Sequence, residues 1–317
     1  MISKGFDEER GSPLSSFIPW LCDQEKYTHP MNLNFVLQSL LNGLLIGGVY
    51  SLIAIGLTLI FGVMKVINFA HGAVMMLGMY CTYWLFTLLK VNPYLSILLV
   101  IPILFLVGAA FQRFLINPII KAPEHNQLFL TLGVMLFLQN LAVFLWSPDY
   151  RILKTRYANI TYYIGDISIS LSHLMAFGLA VLFSAILYVI LSRTDLGRAI
   201  RAASEQPQGA MLMGINIKRI YWISFGIGSA CAGVAGAAIT TFFPIYPYVG
   251  DVFVLTAYVV VVLGGLGSVL GAFVGGLIIG LADSIGAMFL PGAMKSILSF
   301  VIFILILLFK PTGLFRR

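Results

Sequence analysis

Charge is what this chain has least of: Asp, Glu, Lys and Arg make up only 10% of its 317 residues. Soluble globular chains carry about 25% charged residues and about 45–50% apolar ones. Here 60% are apolar, so a water-soluble fold of this size would lack the charge to cover its surface. A polytopic membrane protein would not. Cysteine is scarcer still, and Cys22, Cys81 and Cys231 lie too far apart for a disulfide framework or a metal motif. No Gly-x-x-x-x-Gly-Lys-Ser/Thr and no His-Glu-x-x-His occurs, so the chain brings no phosphate-cradling loop and no zinc-binding helix. His71 and His173 lack an evident nucleophile or acidic partner, which ranks an intramembrane enzyme last. The net charge of +7 comes from Lys and Arg scattered among apolar runs. That distribution suits loop charges that set membrane orientation and argues against a nucleic-acid binder.

What the chain does have is long stretches free of charge. Residues 27–64, 66–89, 91–112, 125–148, 167–192, 220–250 and 252–282 contain no Asp, Glu, Lys or Arg, and the last run continues to Phe309 broken only by Asp283 and Lys295. A spanning helix needs about 20 apolar residues, so each run can hold a crossing. The runs are apolar on both parities, which excludes the alternation of a membrane barrel. The expected fold is all-α, a polytopic helical bundle of about 8–10 spans. Lys and Arg collect in the loop 193–219 and at Lys310, Arg316 and Arg317, and both segments are assigned to the cytoplasm. That assignment requires four crossings between them, at about 220–243, 252–270, 271–290 and 293–309. Lys65, Arg113 and Lys121 then fall inside, whereas Arg151, Lys154 and Arg156 fall outside, in the polar 147–170 loop. Residues 1–30 form a polar tail, expected to be disordered and dispensable with Met31 as an alternative start, and 31–317 form the membrane domain.

Small residues at four-residue spacing mark where helices approach closely. The ladders are Gly43/Gly47, Gly228/Ala232/Gly236 and Gly267/Gly271/Gly275 with Gly276/Gly280 beside it, and they serve packing or a sliding contact.

Four further features stand out. Asn68-Phe69-Ala70-His71-Gly72 is either a cytoplasmic turn with Asn68 capping the next helix or a polar break lining a path. In the loop from Thr194 to Asn216, Ser204 can cap a helix starting at Glu205, with Pro207 in its first turn and Gly214 as its end. That short Met-bearing helix docks on a partner or lies on lipid. Asp283, alone in an apolar run, is a path residue or a locally satisfied acid. Pro244 to Asp251 is an outer turn that anchors at the interface or receives an external partner, with Asp251 capping the following helix.

Several stretches resemble the branched-chain amino acid ABC transporter permeases. They are Gly62-Val63-Met64-Lys65-Val66-Ile67-Asn68-Phe69-Ala70-His71-Gly72, Arg198 to Asn216, 228–236, Pro247-Tyr248-Val249-Gly250, Leu263 to Ser268, and Lys310-Pro311-Thr312-Gly313. The likeness covers about 32–317, and urea-transport permeases share these motifs. It implies a multi-pass permease of the bacterial inner membrane that binds no cofactor, partnered by a second permease and two cytoplasmic ATPase subunits that use ATP. An extracytoplasmic binding protein would deliver the substrate. It also implies that Arg198, Ala203, Glu205, Met211 and Gly214 lie in the coupling loop. Path candidates are Asn68, His71, Gly72 and Asp283, with Gly267, Gly271 and Gly275 packing helices. Transport would proceed by alternating access. A urea or short-amide permease, or an ion-coupled secondary transporter, is the alternative, although the latter needs paired intramembrane charges.

Overall fold

The computed structural model describes residues 33–155, 160–290, 292–310 and 313–315. The tail 1–30 with Met31, Arg156, Pro311-Thr312 and the terminal Arg316 and Arg317 lie outside the described residues. In hydrocarbon every backbone N–H and C=O must be paired within its own segment, and the charge-free runs accordingly become helices. These are α1 (Leu33–Met64), α2 (Ala70–Leu89), α3 (Pro93–Phe111), α4 (Glu124–Trp146) and α5 (Leu171–Arg193). Then come α6 (Asp195–Glu205) and α7 (Pro207–Leu212), followed by α8 (Ile217–Ile239), α9 (Val249–Gly264), α10 (Val269–Phe289) and α11 (Ser296–Phe309). Beyond Phe111, α3 continues through a π-helical turn at Gln112–Ile116 to a last turn at Asn117–Ile119. Among the described residues seven helices are long and apolar enough to cross a membrane, while α9 and α11 are shorter and equally apolar. Four apolar helices, α8 to α11, stand between Arg219 and Lys310, where four crossings were expected; of these α8 and α10 are long enough to cross.

One element departs from the all-helical expectation. Strands β1 (Thr161–Ile164) and β2 (Ile167–Ser170) form an antiparallel hairpin in the 147–170 loop. Its turn uses Gly165 at φ +62°, a conformation that costs glycine little. Gln38 of α1 clamps the hairpin, donating to the Ser168 carbonyl at 2.7 Å and accepting from the Ser168 amide at 2.7 Å. Arg151 in the same loop explains a charge on the side opposite to the basic loops. Its guanidinium lies 5.4 Å and 5.5 Å from the Tyr83 and Trp84 ring centres, and it donates to the Trp146 carbonyl. Arg151 also forms a backbone bridge with Ile245, so it pins two outer loops together.

Helix α1 is the axis of the bundle, with Leu52, Ile53, Ala54 and Ile55 fully buried. It packs antiparallel on α10 through facing glycines. A Cβ on Gly43 would fall 2.8 Å from the Gly280 carbonyl, and one on Gly47 would fall 2.9 Å from that of Gly276. Ser51 donates to the Phe273 carbonyl at 2.7 Å along the same seam. Gly228 abuts Gly56, Gly271 abuts Gly264, and Gly275 faces the Val260 carbonyl. Gly267 is not part of this ladder: it sits at φ +90° in the turn before α10, against Gly62. The helix starts one residue after Ser268, whose hydroxyl accepts from the Gly271 amide at 3.0 Å.

Candidate functional site: two helix starts within the bilayer

The chain turns back into the bundle after α1. Lys65 closes the helix in the left-handed region at φ 54°, and residues 65–69 run up beside α1 before α2 begins at Ala70. The His71 Nε2 contacts the Ile53 carbonyl at 3.1 Å. Ile53 lies eleven residues before Met64, about 16 Å along the helix axis. The start of α2 therefore lies about three turns back along α1 from its inner end, inside the helix bundle. Backbone groups of this non-helical stretch need partners there, and Thr131 of α4 supplies them. Its hydroxyl donates to the Ile67 carbonyl at 3.0 Å and accepts from the Phe69 amide at 3.4 Å.

Asn68 does not cap α2. The N-cap is Phe69, with no side-chain hydrogen bond. Asn68 is fully buried and neither end of its amide has a partner among the described residues; His71 Nδ1 is in the same condition. Gly72 meets Gly250 backbone to backbone, with no room for a Cβ on either. Gly250 is the second residue of α9, which thus also begins inside the bundle. The two helices run opposite ways, α2 towards the outer loops and α9 towards the inner ones. Their positive dipole ends converge at this contact.

Asp251 does not cap α9 either. It stands in the first turn, where Gln139 of α4 donates to its carboxylate at 2.6 Å. The outer turn before it is folded inwards: Phe243 and Tyr50 both pack edge-on against Phe253, at 5.3 and 6.2 Å. Helix α4 thus holds both helix starts, through Thr131 and Gln139. The sequence reading missed both residues, whose trace is a pair of polar side chains within an otherwise apolar run. The arrangement offers an unneutralised helix N-terminus beside an orphaned amide, and a carboxylate one helix start away.

Asp283 is not brought to this junction. It is buried at the outer end of α10, where Ser299 of α11 donates to it and the Tyr50 hydroxyl bonds to it. It ties three helices together.

The basic inner loop is helical in two pieces. Thr194 caps the first, its hydroxyl accepting from the Gly197 amide at 3.2 Å. Ser204, expected to cap a helix starting at Glu205, instead lies inside α6 and donates to the Arg201 carbonyl. The second piece has Gln206 as its N-cap, with no side-chain hydrogen bond. Helix α7 starts at Pro207 and ends before Gly214 at φ +82°. Arg198 is exposed and paired with Asp195. Glu205 is exposed, and beside it Met211, Leu212 and Met213 present apolar surface, 60, 90 and 83% exposed. Ala203 is fully buried, so it seats the loop on the bundle and does not face a partner. Between α6 and the α9–α10 turn a cavity of about 640 Å³ reaches Thr58 of α1, with Arg201, Ser204, Glu205 and Gly267 on its walls.

Comparison with known proteins fits these features. A family model described as the branched-chain amino acid transport system / permease component matches residues 39–307. The permease protein LivH of the high-affinity branched-chain amino acid transport system of Salmonella typhimurium is 34% identical over 297 residues, covering 89% of this chain and 96% of the relative. The corresponding protein BraD of Pseudomonas aeruginosa is 34% identical over 295 residues, with the same coverage of 89% and 96%. A probable LivH of Methanocaldococcus jannaschii is 30% identical over 279 residues, 83% of this chain and 87% of the relative. No solved structure matches. On the match across almost the whole membrane domain, the chain belongs to the family of branched-chain amino acid transport permeases.

Proposed function

We propose that this chain is one membrane half of an ATP-driven importer for branched-chain or related amino acids, and that its substrate passes the α2–α9 junction. The observation that carries this reading is the meeting of two helix N-termini inside the bilayer at Gly72 and Gly250. Broken helices at membrane depth are tolerated where they line a path. An amino acid is a zwitterion, and the junction offers a complement to each of its charges. The α2 N-terminus has no acidic residue in its first turn, so with the Asn68 amide it suits a carboxylate. Asp251 suits the ammonium, a charge that a neutral molecule such as urea lacks. Partial charges hold such a substrate weakly enough to release it.

Force would arrive from outside the chain. The exposed apolar tip at Met211, Leu212 and Met213, with Glu205, is the surface offered to the cytoplasmic ATPases. A second permease subunit would complete the path, and an extracytoplasmic binding protein would supply the substrate.

The test is uptake of labelled leucine into proteoliposomes holding the complete assembly, loaded with ATP. Asn68→Leu should lower uptake by about tenfold or more, the loss of one or two hydrogen bonds to a charged group, with assembly intact. Uptake at the normal rate by that variant removes the junction from the path. Concentrative uptake by this chain without the ATPases, driven by a proton gradient, overturns the importer itself.

A further inference from the structure

A second constellation lies at the inner ends of α3 and α8, apart from the junction and at the far end of the basic loop from its exposed Met211–Met213 tip. A cavity of about 570 Å³ opens there, and three of its walls are cations: Arg113, Lys218 and Arg219. No acidic residue lines it, and none of the three has an ion-pair partner among the described residues. Lys218 and Arg219 sit in the first turn of α8, a 23-residue helix. Its dipole adds positive potential where like charges already crowd. Without a bound anion this arrangement repels itself.

Two further observations indicate what fills it. Gln112 lines the same cavity, is 1% exposed, and its Nε2 has no hydrogen-bond partner among the described residues. A buried amide donor left empty costs about 1–3 kcal/mol, so this donor is placed for an acceptor that binds in the cavity. The π-helical turn begins at this residue, and such turns recur at functional positions. Beside the cavity runs an apolar groove of about 660 Å³ between α3 and α4. Phe114 borders both, and Phe129 and Phe137 flank the groove, 67 and 63% exposed. The exposed Phe129 and Phe137 open the groove to the outside of the bundle, and it runs from Phe114, at the cavity, along α4 towards Leu138.

We infer that the Arg113–Lys218–Arg219 cavity binds the phosphate of an anionic phospholipid of the inner leaflet, with an acyl chain laid in the groove beside Phe114. A soluble anion would use the cations and ignore the groove. An acidic protein surface would need a broad exposed face and would leave the Gln112 donor unfilled. Basic pockets between membrane helices on the cytoplasmic side have this affinity for lipid headgroups.

Native mass spectrometry of the detergent-purified full chain, titrated with phosphatidylglycerol, phosphatidylcholine or inorganic phosphate, tests the site. Phosphatidylglycerol should be retained about tenfold more strongly than phosphatidylcholine, and millimolar phosphate should not displace it. Each surface cation is worth about 1 kcal/mol towards an anionic lipid, so Arg113→Gln with Arg219→Gln should cut retention by about tenfold or more. Gly133→Leu fills the groove at a position where a Cβ meets nothing within 4 Å, and it should weaken lipid retention without touching the cations. Equal retention of both lipids, displacement by phosphate, or unchanged retention in both variants overturns the site. So does loss of ATPase co-purification in the double variant while phosphatidylglycerol still binds, which would make the patch a protein contact. None of these outcomes depends on the transported substrate.

Discussion

Gly280 and Gly178 are both helix-interior glycines, and the fold treats them oppositely. A Cβ on Gly280 would strike the backbone of Gly43 and Gly47, whereas one on Gly178 meets nothing within 4 Å. Overpacking a rigid seam costs about 1–3 kcal/mol or more. Gly280→Leu should therefore lower the midpoint of thermal unfolding in detergent, and Gly178→Leu should leave it unchanged. Thr131 carries a different load. One hydroxyl serves the Ile67 carbonyl and the Phe69 amide. Thr131→Val keeps the volume and strands two backbone groups, at about 1–3 kcal/mol each. Hydrogen exchange at residues 65–72 should rise in that variant while exchange elsewhere in α1 stays as it was. The sequence marked Gly280 through its ladder with Gly276 but not Thr131, since a lone Thr among apolar neighbours carries no mark of what it will face.

At the scale of elements, the helical make-up of the basic inner loop was legible in outline and misread in detail. Gly214 was expected to end the helix and does so at φ +82°. The start was misplaced because Ser204 is chemically able to cap, and only the chain path shows that it lies inside α6 while α7 begins at Pro207. With the tip at Leu212 90% exposed, replacement of Leu212 and Met213 by Asp costs the bundle nothing in packing. It should reduce substrate-stimulated ATPase activity of the assembly several-fold with insertion and yield unaltered. Arg198→Gln, by contrast, breaks only an exposed pair with Asp195, worth about 0–1 kcal/mol, and on stability alone should be silent.

Across the whole molecule, the chain end closes on the inner loop between α9 and α10. The Leu314 amide donates to the Leu263 carbonyl at 2.9 Å, and the Phe315 amide to that of Gly264 at 3.2 Å. Gly313, at φ +81°, lies against the Gly265 backbone. This contact joins the end of α9, whose other end is the junction with α2, to the cytoplasmic face near the coupling loop. Gly313→Val cannot take that conformation without strain. It should raise hydrogen exchange across 263–268 and lower transport, with the outer hairpin unaffected.

Sequence alone determined that the protein lives in a membrane and that its crossings are helices, and it assigned the basic loops to the inner side. Each of these follows from where charge is missing and where Lys and Arg collect, because hydrocarbon penalises unpaired backbone and unpaired charge wherever they occur in the chain. Tertiary structure decided the depth of the two helix starts, the identity of α4 as their support, and the role of Asp283 as a tie between helices. Those depend on which carbonyl lies opposite His71 and which amide lies opposite Asp251. Partners of that kind come from other elements, 18 residues away for His71 and 112 for Asp251, and no local pattern records them.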